Sequence, residues 1–135
     1  MRRVVLGLMI VAAFAAAAVP VMAHHSFAAE FDSTKQIKLN GVVTKVDWTN
    51  PHVWFYFNVK DESGTVTNWG AEMGPPHLLQ GQGWTRTTMK IGDLIVVQGS
   101  LAKNGTKRLN ARSVTTPDGK RMGAASSEGT PAVQP

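Results

Sequence analysis

The sequence contains no cysteine among its 135 residues. Disulfide bonds, thiolate zinc sites and cysteine-based redox or nucleophilic chemistry are therefore excluded. Charged residues are also scarce, at 17% of the chain, and the formal net charge is only +5. Because the basic residues are scattered along the chain instead of clustered, we predict no nucleic-acid partner.

Recognisable catalytic motifs are missing as well. The chain has no Gly-x-Ser-x-Gly, Walker A or Gly-x-Gly-x-x-Gly sequence. The acidic residues Asp47, Asp61, Glu72 and Asp93 show no pairing pattern that would select acid and base roles. Asp61 and Asp93 are instead typical turn residues. We therefore predict that the protein is not an enzyme.

Only one long apolar run is present, and it stands near the N-terminus. Two arginines precede the apolar residues 4–18, and a valine and an alanine occupy positions −3 and −1 before His24. This pattern predicts that residues 1–23 are a signal peptide, cleaved between Ala23 and His24, which directs the protein to the periplasm or the medium. The alternative is an uncleaved membrane anchor, because about 20 uncharged residues can just span a bilayer.

The mature chain would have 112 residues, and the loss of two arginines lowers its net charge to +3. That length suits one compact domain. We divide it into an N-terminal arm at 24–35, a folded domain at 36–116 and a disordered tail rich in Pro, Gly, Ala, Ser and Thr at 117–135. We expect a monomer without a membrane span after cleavage.

Strand patterns dominate residues 36–116. Residues 53–59 alternate between apolar and polar, and a short helix is expected at 77–80 after two prolines. The order of one long bent strand, two strands, this helix and two more strands predicts an all-β fold, a small five-stranded OB-like barrel. The residues expected to point inward are Val53, Phe55, Phe57, Val59, Leu94, Val96 and Leu109.

The outer face of the second strand carries Trp54 and Tyr56. If Lys60 pairs with Thr65, Tyr56 lies opposite Trp69, and the three rings share the face where OB barrels bind ligands. We therefore predict that Trp54, Tyr56 and Trp69 bind a small ligand, such as a sugar ring or a planar molecule, or an exported partner protein. A one-residue shift would turn Trp69 inward, and the N-terminal arm or a partner could simply cover the rings.

All four histidines follow the predicted cleavage site: His24, His25, His52 and His77. A mature N-terminus at His24 offers an α-amine and an imidazole on one residue, a nitrogen pair that suits Cu(II), and the other three histidines could add imidazoles. A copper-binding protein is therefore the alternative to a binding or adaptor module, with a copper enzyme third. The simpler explanation is that His24 and His25 merely follow the cleavage site and that His52 is a turn residue.

The segment His-His-Ser-Phe-Ala-Ala-Glu-Phe-Asp at 24–32 resembles the mature N-terminus of a family of secreted bacterial proteins known only as a domain of unknown function. The resemblance continues in Gly-Val-Val at 41–43, Trp-Thr-Asn-Pro-His at 48–52 and Gly-Asp at 92–93. It covers the mature chain to about residue 117. It implies export and a small barrel, and it supplies no activity or site residues.

Overall fold

The computed structural model describes residues 27–128, so the predicted signal peptide, with its cleavage site at Ala23, and the histidines His24 and His25 lie outside the described residues. Among the described residues, no helix has the length and apolar character needed to cross a membrane. The elements are α1 (Phe27–Glu30), β1 (Phe31–Asp47), β2 (Trp54–Lys60), β3 (Val66–Glu72), α2 (Pro76–Gly81), β4 (Leu94–Ala102), β5 (Arg108–Thr115) and β6 (Arg121–Gly123).

Five of these strands close into a barrel. β1 pairs antiparallel with both β2 and β4, β2 pairs with β3, and β4 pairs with β5. A parallel pairing between β3 and β5 joins the two ends of the sheet, and α2 connects β3 to β4. This is the strand order of an OB barrel. The predicted fold is therefore confirmed, and α1 adds a single helical turn in front of it.

β1 is long enough, at 17 residues, to belong to both halves of the barrel. Its register against β2 shifts between Val43 and Lys45, which marks a bulge and increases the local bend. A side chain at the nearby Gly41 would come within 2.6 Å of the Asn58 carbonyl oxygen. Glycine is therefore required where the strand turns from one partner to the other.

The barrel interior is filled mainly by side chains from β2 and β5 and from the α2–β4 connection. Val53, Phe55, Phe57 and Leu109 are fully buried as predicted, and Val59 packs against this core at partial exposure. The period-2 alternation of β2 was a reliable guide because one of its faces meets the core and the other does not. Trp84 and Leu79 from the α2 region are buried in the same cluster.

The predicted inward face of β4 is wrong. Leu94 is 64% exposed and Val96 is only partly buried, whereas Ile95 and Val97 have exposures of 1% and 0%. The strand is almost continuously apolar, so its sequence does not distinguish the two faces. Pairing with β1 determines which face of β4 points inward, because it sets Ile95 opposite the buried Gly41.

The folded body is also longer than the predicted 36–116. β1 begins at Phe31, which is 3% exposed, and β6 lies within the segment predicted to be a disordered tail. β6 pairs with β5, and the Ala124 carbonyl accepts a hydrogen bond from Gly74 N at 2.9 Å. Together with the burial of Met122, these contacts hold residues 121–124 against the barrel. The composition of the segment concealed this because it holds so few apolar anchors.

Candidate functional site

The turn between β2 and β3 sets the register of the predicted binding face. Asp61 Oδ1 accepts hydrogen bonds from the backbone N–H groups of Ser63 and Thr65, each at 2.9 Å. Asp61 N–H in turn donates to the Thr65 carbonyl at 2.9 Å. Thr65 therefore belongs to the turn, and Lys60 pairs with Val66. The predicted register is wrong by one residue because Asp61 organises a longer turn.

This shift places the three predicted site aromatics on two faces. Trp69 pairs with Phe57 and is 8% exposed within the barrel core, so its predicted place in the outer patch is wrong. Trp54 and Tyr56 stay on the outer face, where both are half-buried. A register slip of a single residue exchanges the two faces of a strand. The outer face thus retains two of the three rings.

Two rows of paired residues cross this outer face from β1 to β5. The first row consists of Lys45, Tyr56, Gly70 and Arg108, and the second of Asp47, Trp54, Glu72 and Asn110. A Cβ at Gly70 would be 3.1 Å from the Tyr56 ring and 3.7 Å from Arg108 Cγ. The absence of a side chain there makes room for the tyrosine ring and for the stem of the arginine.

A cation lies over each of the two outer rings. Lys45 Nζ is 5.5 Å from the Tyr56 ring centroid, and Arg108 Cζ is 5.4 Å from the centroid of Trp54. Both distances are within the range of cation–π attraction. Lys45 is also ion-paired with Asp47 at 3.2 Å. Within residues 27–128, no ion pair joins Arg108 to an acidic side chain.

A groove of about 250 Å³ opens beside Trp54, between α1 and the β4–β5 turn. Trp54 supplies its large apolar surface, whereas Phe31 is 3% exposed and contributes little. Its charged and hydrogen-bonding lining consists of Glu30, Lys103, Asn104, Thr106 and Arg108. The groove therefore combines an aromatic surface with two cations, one carboxyl group and an amide and hydroxyl pair.

Hydrogen bonds fix the two walls of the groove relative to each other. Lys103 N–H donates to the Glu30 carbonyl at 2.8 Å, and Lys103 Nζ donates to the Ala28 carbonyl at 2.5 Å. Asn104 Oδ1 accepts from Thr106 N at 3.1 Å and from Thr106 Oγ1 at 2.7 Å, which stabilises the β4–β5 turn. The groove is thus built from a braced helical turn and a braced hairpin.

Glu72 lies in the second row, between Trp54 and Asn110, and is 7% exposed. Its Oε1 accepts a hydrogen bond from Asn110 Nδ2 at 3.2 Å and lies 3.6 Å from His52 Nδ1. Burial, assisted by the negative charge of Glu30, raises the pKa of the Glu72 carboxyl to about 7. Glu72 can therefore gain or lose a proton near neutral pH.

The described histidines do not form a metal site on their own. His52 lies beside Glu72, and His77 is an exposed residue of α2. In the part of the chain that the structure describes, no three or more His, Asp or Glu side chains group closely enough to hold a metal ion. Since His24 and His25 are outside that part, the copper hypothesis stays a prediction.

Arg108 and Lys103 were not predicted from the sequence, and Glu72 was assigned no role there. The available signal was the segment Lys-Asn-Gly-Thr-Lys-Arg at 103–108, which holds three cations and no acid around an Asn-Gly turn. The closure of β3 against β5 brings Arg108 to Trp54, and no local pattern reveals that parallel pairing. The burial of Glu72 follows from the same closure.

The barrel and its groove define a small OB-fold domain with a candidate ligand site on the outer face. Residues 12–110 match DUF6152, a family of unknown function, and the chain belongs to this family. A search of curated proteins finds no match.

Solved structures that are similar to the chain include the following two. One is the dimeric N-terminal domain of PriB from Thermoanaerobacter tencongensis, with 17% identity, a TM-score of 0.43 and coverage of 62% of this chain and 96% of that chain. The other is yeast Stn1 and Ten1, with 13% identity, a TM-score of 0.41 and coverage of 60% and 42%, respectively.

Proposed function

We propose that the protein is an exported, non-enzymatic binding module that takes a small ligand in the groove beside Trp54. The observation that carries this proposal is the pairing of Trp54 with Arg108 at the groove, between α1 and the β4–β5 turn. OB barrels commonly bind ligands on the face of strands 2 and 3, between the loops that follow strands 1 and 4. Trp54 begins β2 directly after the first of these loops, and Arg108 begins β5 directly after the second.

Binding is favoured over catalysis by the position of the titratable group. A general acid or base must reach the substrate proton at hydrogen-bond distance. Glu72, whose pKa is raised to about 7, is 7% exposed and already bonded to Asn110. Glu72 is also not among the residues that line the groove, where Lys103 and Arg108 supply positive charge.

Export belongs to the same proposal and rests on the pattern of residues 1–23. A protein delivered to the periplasm or the medium would meet its ligand there, either a small molecule or part of an exported protein. The absence of cysteine makes the folded state independent of the redox conditions in either place.

Chemical-shift mapping tests the position of the site. Isotope-labelled mature protein is titrated with a panel of small neutral, anionic and cationic ring compounds. We expect the largest shifts at the Trp54 indole and at the amides of 103–108. A second groove of about 380 Å³, lined by Thr88 and Asp118 among others, serves as the internal control. Shifts centred on that second groove would contradict the proposal.

A copper site at the mature N-terminus is the second candidate. It is favoured by the position of His24 directly after the predicted cleavage site, which would put a free amine and an imidazole on one residue. Calorimetry with Cu(II) should show much weaker binding when one glycine is added before His24, because the extra residue keeps every histidine but removes the chelate. Equal affinity of the two forms would eliminate this site.

A further inference from the structure

The Arg108 side chain lies against Trp54 and Gly70 on one side and is exposed to solvent on the other. Its Cζ lies 5.4 Å from the Trp54 ring centroid, and its stem passes close to the bare backbone of Gly70. The residue is nevertheless exposed, and no hydrogen bond from its guanidinium to a protein acceptor is found between residues 27 and 128. An arginine stacked on an aromatic ring keeps a planar fork of N–H donors in a restricted orientation.

Such a fork matches the geometry of a carboxylate or phosphate group. Two parallel N–H···O bonds form with either oxyanion, and charge assistance makes them about twice as strong as neutral hydrogen bonds. Because Trp54 already limits the motion of Arg108, less side-chain entropy is lost on binding. Lys103 adds a second positive charge to the same groove.

Glu30 on the α1 wall limits how much negative charge a ligand in the groove can carry. It is the acidic residue of the groove lining, so it repels a second negative charge placed close to it. Trp54 offers apolar surface between the two charged walls.

We infer that the groove recognises a small ring-containing molecule with one oxyanion group, a carboxylate or a phosphate, bound by Arg108. This inference rests on the proposed function, because it names the ligand class of the same groove. It assigns Arg108 the main role in specificity and Trp54 the role of orienting it.

Three probes that share a sugar ring isolate the contribution of the oxyanion: glucose, glucuronate and glucose 6-phosphate. We expect calorimetry on the mature protein to show binding of at least one of the two anions, with glucose at least about tenfold weaker. The anion that binds more tightly shows whether the group recognised is a carboxylate or a phosphate. Arg108→Lys keeps the positive charge but loses the planar fork of donors. It should therefore weaken the binding of that anion by about tenfold or more.

Arg86→Lys is the matched control, because Arg86 is an exposed arginine outside the groove lining. It should leave the affinity unchanged. Equal binding of glucose and both anions, with chemical shifts still centred on Trp54, would overturn the ligand class but leave the groove as the binding site. Shifts centred elsewhere would overturn both, and no binding of any probe would overturn the ligand class.

Discussion

A glutamine in place of Glu72 should make the stability of the protein less dependent on pH. Burial raises the pKa of this carboxyl from 4.5 to about 7 in the folded state. The folded state therefore favours the protonated form, and the resulting stabilisation is fully present below pH 4.5 and is lost as the pH rises through 7. At 1.36 kcal/mol per pH unit, the loss amounts to about 3 kcal/mol.

Urea denaturation at several pH values between 4.5 and 8 measures this effect. The unfolding free energy of the wild type should fall by about 3 kcal/mol relative to that of Glu72→Gln across this range. Glutamine is the suitable replacement because its carbonyl oxygen can still accept the hydrogen bond from Asn110. Glu62→Gln, in the exposed β2–β3 turn, is the control and should follow the wild type. If the unfolding free energies of the wild type and of Glu72→Gln changed with pH in parallel, the reasoning would be refuted.

Three further predictions concern the core, the C-terminal segment and export. Phe55→Ala should cost about 3–5 kcal/mol in urea denaturation, since Phe55 is fully buried, and a loss below about 1 kcal/mol would contradict its place in the core. Gly74→Ala should destabilise the protein and expose the C-terminal segment to protease, because a Cβ at Gly74 would overlap the Ala125 carbonyl. Gly81→Ala should cause neither effect, because its Cβ would point into open space. The intact mass of the exported protein should correspond to a chain beginning at His24, and recovery of the full-length chain in membranes would show that the segment is an anchor.

The fold was largely predictable because its strands carry unequal faces. The alternation of apolar and polar residues along β2 assigned Phe55 and Phe57 correctly, since that strand separates core from surface. β4 lacks this contrast, and its inward face was assigned wrongly because only its pairing with β1 sets Ile95 inward. β6 was missed because Met122 is almost the only large apolar residue in its neighbourhood.

The candidate site was less predictable because it depends on contacts between distant segments. Trp54 and Tyr56 were placed on the correct face, but Trp69 was not, since one additional turn residue shifts the register. Arg108 reaches Trp54 only through the parallel closure of β3 and β5. A local sequence pattern does not show how long a turn organised by a side chain will be. It also does not show which strand will pair with another to close the barrel.

The same closure connects the stability of the fold to the chemistry of the groove. By pairing β3 with β5 it places Gly70 beside Arg108 and, two positions further along the same ladder, Glu72 beside Asn110. The first pair leaves room for a cation to lie over Trp54, and the second buries a carboxyl group that titrates near neutral pH. Glu30, which lines the groove, also contributes to the raised pKa of Glu72. A positive ligand group drawn close to Glu30 would therefore lower the pKa of Glu72.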